Sequence, residues 1–428
     1  ARQDADRFNH ARIYGDIFDF DAKPDVRITA TRLKPEIIKG RRVINAELEM
    51  ADDLPIHAAV EMSNTGSKGT SKWRIKSTLQ HVNLTKHDDV LTLNWITSNH
   101  LDVVNTFAGG YYLPIGERYS LSLYGGYSNS DIDDIAPQLD IRGSGHYFGG
   151  QVTKVLKDTP KAQLQLAGGW VFQHTETKHF VSGQDSEIGP KYELSTPRLT
   201  FEYASKTFDR LGGRNYFTNT LIANFADKFG SSEADEYTPA NQGQATPGVD
   251  GDFLINRFTL ARYQRFFRGD ETPGKWSLFM KLDGQLASDS LVSAMRKSVG
   301  GAHSVRGYKE NELSGDQALT ATLELRTPLF HNFIPGMKKS DEYLQANPEA
   351  WQRHRLQFIA FTDMGITDLK APLAGEQDGD EMMSAGLGLR LGFTKFSQMS
   401  VDYGVPINDA TEEPPSGGRA HLSLQLQF

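Results

Sequence analysis

Residues 421–428 read His-Leu-Ser-Leu-Gln-Leu-Gln-Phe, and this stretch decides the fold. Side chains alternate along an extended chain, so Leu422, Leu424, Leu426 and Phe428 share one face while Ser423, Gln425 and Gln427 share the other. That is the pattern of a strand with lipid on one side and water on the other. The same alternation appears upstream. In 277–287, Leu278, Met280, Leu282 and Leu286 alternate with Ser277, Lys281, Asp283 and Gln285; in 317–326, Leu319, Ala321, Leu323 and Leu325 alternate with Thr320, Thr322, Glu324 and Arg326. An Arg or Lys on a lipid face costs about 2–4 kcal/mol at the midplane. The charged faces must therefore look into a wet or ion-paired lumen.

About sixteen such segments recur with turn signals between them, near 55–64, 71–82, 89–98, 103–113, 118–128, 145–156, 162–174, 192–205, 213–224, 253–266, 275–288, 317–327, 353–366, 382–393, 397–405 and 419–428. Their connections alternate between terse and long, as outer-membrane barrels alternate short periplasmic turns with long outer loops. The terse set includes 114–117, 157–161, 268–274 and 394–396; the long set includes 129–144, 175–191, 225–252, 289–316, 367–381 and 406–418. With a periplasmic N-terminus, 289–316 is the sixth outer loop. One connection breaks the alternation: 328–352 is long on the supposed periplasmic side and holds a short helical pattern at 340–345.

The 428 residues include 38% hydrophobic residues, and mean hydropathy is −0.48. No run approaches the roughly 18 apolar residues of a spanning helix. A barrel escapes that test, because only alternate residues of each strand meet lipid. The chain has no cysteine, which leaves no disulfide framework or thiolate metal site and suits passage through an oxidising compartment. A net charge of −8 argues against a nucleic-acid partner, which needs a basic face. No signal peptide is visible at Ala1, so a processed or trimmed form is expected. Residues 1–53 read as a separate piece: a helical pattern over 5–17, then two short strands at 25–30 and 42–49 joined by a loop. That is too little for an independent core.

Between two of the alternating segments lies Gly300-Gly301-Ala302-His303-Ser304-Val305-Arg306-Gly307-Tyr308, followed by Leu313-Ser314-Gly315-Asp316. An arginine beside glycine inside a barrel-like sequence points to a buried ion pair in a loop; the bland alternative is an exposed loop arginine. Gly307 permits close backbone approach or positive φ. Tyr308 reads equally as simple packing, and Asp316 reads first as a turn residue. The twelve histidines form no His-x-x-x-His pair, so no zinc site or other cofactor is expected. Residues 386–392, Gly-Leu-Gly-Leu-Arg-Leu-Gly, lack the strand–turn–helix setting of a dinucleotide loop and fit a strand with small residues. No nucleophile with base and orienting acid is apparent, and no enzyme is expected.

On these motifs the chain resembles the TpsB transporters, the outer-membrane components of two-partner secretion, also described as the haemolysin secretion/activation family of the POTRA-barrel superfamily. The resemblance covers most of 25–428. It rests on Gly300-Gly301 with Ser304-Val305-Arg306-Gly307-Tyr308, Ser314-Gly315-Asp316, Glu324-Leu325-Arg326-Thr327-Pro328, Phe361-Thr362-Asp363-Met364-Gly365 and terminal Phe428. It implies an all-β fold: a sixteen-stranded antiparallel transmembrane barrel over 54–428 with an inward-folded sixth outer loop, preceded in 1–53 by part of a periplasmic POTRA-like α+β module. It implies that the Val305-Arg306-Gly307-Tyr308 tip is held by Asp363, with Phe361 and Gly365 on the same strand face. Ahead of residue 25 the chain is shorter than the family's plug helix and two POTRA modules.

The implied function is export of a large partner exoprotein across the bacterial outer membrane without ATP. The implied partners are that passenger, outer-membrane lipid and lipopolysaccharide, and the barrel-assembly machinery during biogenesis, with Phe428 as its C-terminal signal. The rival readings are a BAM- or TAM-type outer-membrane protein insertase and a passive porin.

Overall fold

A computed structural model describes residues 26–38, 41–52, 54–67, 69–136, 139–181, 190–237, 249–266, 276–331, 355–372, 379–394, 396–408 and 417–428. Sixteen antiparallel strands close a barrel. The first eight are β1 (Ile56–Ser63), β2 (Arg74–Val82), β3 (Val90–Ser98), β4 (Val104–Ile115), β5 (Tyr119–Ala136), β6 (Leu139–Asp158), β7 (Ala162–Val181) and β8 (Lys191–Ser205). The second eight are β9 (Gly213–Asn224), β10 (Phe253–Arg265), β11 (Ser277–Ala287), β12 (Gln317–Arg326), β13 (Arg355–Asp368), β14 (Gly379–Thr394), β15 (Ser397–Pro406) and β16 (Arg419–Gln427). Each pairs with its sequence neighbours, and β16 closes on β1 through a short ladder from Gln427↔Ala59 to Ser423↔Ser63. Closure leaves no edge strand in the barrel wall.

The strands form where side-chain polarity has period two, and the structure shows why. Leu93, Phe107, Leu123, Phe148, Leu199, Leu260, Leu286, Leu387 and Phe428 are exposed on the outer surface, a ring of apolar side chains that only acyl chains can cover. Their neighbours on the other face, polar or small residues such as Thr92, Asn94, Ser122, Arg198, Thr259 and Gly388, line the lumen. On β13, Ile359, Phe361, Asp363, Gly365 and Thr367 are buried inward while Phe358, Ala360, Thr362, Ile366 and Asp368 are exposed outward.

Three strands run further than their hydrophobic pattern. The sequence expects loops at 129–144 and 175–191, yet the β5–β6 ladder continues through Asp131↔Arg142 to Ala136↔Leu139, and β6–β7 to Leu139↔Val181. Above the membrane both faces of a strand meet water, so alternation of polarity is no longer required and carries no signal. Backbone pairing continues regardless. The N-terminal piece also departs from expectation: instead of two short strands with a long loop, Val26–Ile38 pairs with Arg41–Asp52 as one ribbon. The ribbon takes in Pro35, paired with Ile44: in a two-stranded ribbon every strand is an edge, where a residue without an N–H is tolerated. The helical patterns at 5–17 and 340–345 lie outside the described residues.

The long connections 225–252 and 289–316 emerge at one end, the outer end, and pack side chains against inward-facing strand residues there. Tyr237 and Val249 of the first and Leu291, Val292 and Met295 of the second bury against Tyr192, Leu194, Ile222, Phe253 and Ile255. Val299, Val305 and Tyr308 form a second buried group with Ala318 and Met382 of the wall. The sixth outer loop therefore lies inside the lumen.

Candidate functional site

The loop enters as a short 3-10 turn (Ser293–Met295) and continues as a hairpin, Lys297–Val299 paired with Leu313–Gly315. This hairpin carries the tip 300–312 down the lumen. Gly300, Gly301 and Gly307 have φ of +108°, +95° and +100°. The turn is closed by Gly301 N–H to the Val305 carbonyl (3.1 Å), Gly300 N–H to Ser304 Oγ (2.8 Å) and Ala302 N–H to Glu310 Oε1 (2.7 Å).

At the tip, Arg306 is 4% exposed. Its Nε donates to Asp363 Oδ2 at 2.7 Å, its Nη2 to Asp363 Oδ1 at 2.9 Å, and its own backbone N–H to Oδ2 at 3.1 Å. Nη1 donates to Glu324 Oε1 at 2.7 Å and stands 3.6 Å from Asp402 Oδ2. The guanidinium Cζ lies over the Phe361 ring, 3.5 Å from its centroid. Fork geometry, a second carboxylate and an aromatic face together use all that an arginine offers and a lysine lacks.

The carboxylates are themselves shared. Glu324 Oε2 accepts from Arg326 Nε and Nη2 at 2.9 and 2.6 Å, and Asp402 accepts from Arg390 Nη1 and Nη2 at 2.7 and 2.9 Å. Three guanidiniums thus alternate with three carboxylates across β12, β13, β14, β15 and the loop tip. Glu324 and Asp402 each have a second arginine, whereas Asp363 has Arg306 as its one guanidinium partner among the described residues.

Small residues on the wall admit the tip. A Cβ on Gly404 would meet the Arg306 carbonyl C and O and the Gly307 N, all at 2.7 Å, and one on Gly307 would meet Gly404 C and O at 2.9 and 3.0 Å. Two glycines face each other so that loop backbone lies flat on β15. Gly365 leaves the space that Val299 and Val305 fill. Gly307 N–H donates to His421 Nε2 at 3.1 Å. An accepting Nε2 places the imidazole proton on Nδ1, which faces Glu310 Oε1 at 3.5 Å.

Tyr308 is fully buried, and its hydroxyl reaches Asn408 Oδ1 (2.8 Å), the Asn408 carbonyl (2.7 Å) and the Met383 carbonyl (3.0 Å). It both packs and bonds. Asp316, read first as a turn residue, is fully buried: it accepts from the backbone N–H of Leu291 and of Lys370, both at 2.9 Å, with Arg296 Nε at 3.4 Å. It ties the start of the loop to the connection after β13, a role that turn chemistry does not require. Gly315 is buried, while Ser314 is exposed and pairs with Ser298. Phe428 is 70% exposed on the outer surface, its N–H donating to the Ala58 carbonyl at 2.7 Å.

The structure brings Val305, Arg306, Gly307 and Tyr308 together with Phe361, Asp363 and Gly365. Sequence reasoning placed Glu324 on the wet or ion-paired lumen face and in a resemblance motif without giving it a partner in the loop, and it assigned no role to Asp402, Gly404, Asn408 or His421. Glu324 and Asp402 carry one signal, a carboxylate on the lumen face of an alternating strand, but many lumen residues share it. Below the cluster, toward the other end of the barrel, a cavity is lined by Arg326, Arg355, Gln357, Arg390, Gln398 and Gln425.

Residues 43–391 match the family described as Haemolysin secretion/activation protein ShlB/FhaC/HecB. The heme/hemopexin transporter protein HuxB of Haemophilus influenzae is 22% identical over 309 residues, which are 71% of this chain and 50% of HuxB. The chain spans about half the length of the curated relatives it matches. The fold is similar to CdiB from Escherichia coli, with TM-score 0.72, 18% identity, and coverage of 93% of this chain and 67% of that one. It is also similar to CdiB from Acinetobacter baumannii, with TM-score 0.70, 15% identity, and coverage of 100% and 70%. With the match running from the N-terminal ribbon through β14, the chain belongs to the haemolysin secretion/activation protein family ShlB/FhaC/HecB.

Proposed function

We propose that the chain forms the outer-membrane pore of a two-partner secretion system, through which one large exoprotein passes without ATP. The observation that carries this reading is the sixth outer loop held inside the lumen by Arg306 on Asp363 and Glu324. A loop held in the conduit by buried charge suits a gated pore: the clamp narrows the lumen at rest and leaves a single bistable element for the passenger to displace. The 1–53 segment is then part of a POTRA-like module that receives the passenger on the periplasmic side. The surrounding partners are outer-membrane lipid and lipopolysaccharide, and Phe428 is the signal read by the barrel-assembly machinery. Work is done by folding of the passenger outside, where structure formed cannot slide back.

The test is deletion in the source organism, paired with conductance of the purified barrel. Loss of one exoprotein from the medium with other outer-membrane proteins intact is the expected outcome. Broad loss of outer-membrane proteins points to an insertase and overturns the reading. Steady conductance of the purified barrel in planar bilayers, without flicker, points to a porin and overturns it as well.

A further inference from the structure

The connection between β9 and β10 crosses the barrel rim, and its two flanks do different things. On the inside, Tyr237 and Val249 bury against Leu291, Val292 and Met295 of the sixth loop. On the outside, residues 229–232 run beside the end of β8, which β9 does not cover there: Ser232 N–H donates to the Glu193 carbonyl and Glu193 N–H to Ser232 Oγ. This outer flank presents two aromatics. Phe225 is 42% and Phe229 62% exposed.

Phe229 is held there at a cost. It has φ of +57°, and Asp227 two residues earlier has +60°; a bulky side chain rarely adopts this region. Its carbonyl accepts from Ser195 Oγ at 2.7 Å, which in turn accepts from Trp170 Nε1 at 2.8 Å. The Phe229 ring meets Trp170 edge-on at 5.4 Å and Phe225 at 6.5 Å. The strain therefore aims an aromatic outward beside Trp170, Phe172 and Phe148, themselves stacked on the outer surface.

The height of this cluster is legible. One step above it the outward residues turn polar: His146 stacks on His174, whose Nδ1 lies 3.4 Å from Glu193. On β5 the outward run from Tyr119 to Tyr127, the latter paired with His146, covers nine residues, eight steps or about 26 Å along the strand at roughly 3.3 Å per residue. Transmembrane barrels carry an apolar band of about 25 Å between two aromatic girdles. Phe225 and Phe229 stand at the outer girdle, continuous with the lipid-facing wall.

We propose that this connection is a membrane-anchored strap: Phe225 and Phe229 insert among the acyl chains of the outer leaflet, while Tyr237 and Val249 hold the base of the inward loop. The partner is the lipid surface itself. The same lever couples leaflet packing to the sixth loop across the rim. This rests on the barrel's place in a membrane and stands apart from what the pore conducts.

The absence of cysteine makes the test direct. Phe229→Cys, and separately Phe225→Cys, carry a nitroxide in dioleoylphosphatidylcholine vesicles with and without lipopolysaccharide, with heat-modifiable gel migration confirming a folded barrel. Leu199→Cys is the lipid reference and His303→Cys the non-lipid one. Power saturation should give both strap labels an oxygen-over-nickel accessibility ratio near that of position 199. Ratios near that of position 303 at both strap positions, with or without lipopolysaccharide, would place the aromatics in water, as a protein-docking surface would be, and overturn the proposal.

Discussion

Replacing Arg306 by alanine concentrates its damage on one carboxylate. Glu324 keeps Arg326 and Asp402 keeps Arg390, but Asp363, whose side chain is 0% exposed, loses its guanidinium partner. Removing one member of a buried pair typically costs about 3–5 kcal/mol. At about 1.4 kcal/mol per tenfold, that shifts the loop's docked–undocked equilibrium by roughly a hundredfold to several thousandfold. The assay is a thiol at position 305, where the side chain is 0% exposed under Gly365. Modification of Val305→Cys by a bulky maleimide should be slow when Arg306 is present and faster by that factor in the Arg306→Ala background. Asp363→Ala should produce a similar rise, and the double variant should add much less than the two single effects summed, because the stranded charge is gone. Equal rates in all four backgrounds, or strictly additive ones, would refute the idea that this pair holds the loop.

Three smaller predictions follow from the same geometry. Gly404→Ala drives a methyl into the Arg306 carbonyl and Gly307 nitrogen, backbone atoms that cannot rotate away; overpacking of this kind costs about 1–3 kcal/mol and should raise labelling at position 305. Tyr308→Phe removes a hydroxyl bonded to Asn408 and Met383; the Met383 carbonyl keeps the Ile407 N–H and Asn408 Oδ1 keeps the Met383 N–H, so the loss is about 0.5–1.5 kcal/mol, read as a lower temperature for heat-modified gel migration. Asp209, in the turn after β8, is held down to about 2 by its hydrogen bond from Arg262, with the Gly213 and Leu211 amides assisting. A depressed carboxylate stabilises fully above its unfolded value of about 3.9 and is lost as pH falls through 2. Protection of the Leu211 and Gly213 amides, measured against their intrinsic exchange at each pH, should thus hold at pH 5 and fall only below about 4.

The barrel was legible strand by strand because lipid and water impose opposite demands on successive residues; β9 over 213–224 coincides with its sequence pattern. Legibility ends where that contrast ends, as in the upper parts of β5, β6 and β7. The loop cluster divides in the same way. Val305 through Tyr308 stand out as a motif, and family resemblance rather than spacing pointed to Asp363, 57 residues away. His421, 114 residues from Gly307, could not be found at all from local pattern. Which lumen residue meets which loop atom depends on how far the strands stagger around the cylinder, a quantity no single segment encodes. Gly404 shows the same limit: the sequence displays a glycine, but only the opposing Gly307 says why.

The three-against-three arrangement around Arg306 has an electrical consequence. With three positive and three negative heads interleaved at hydrogen-bond distance, the net charge of the cluster is zero, so its field falls off faster with distance than that of an isolated charge, which physiological salt already screens over roughly 8 Å. An ion entering the lumen while the tip is docked therefore senses little net charge from it. Rupture of the anchor separates Arg306 from Asp363, and only then do both charges face the lumen unpaired.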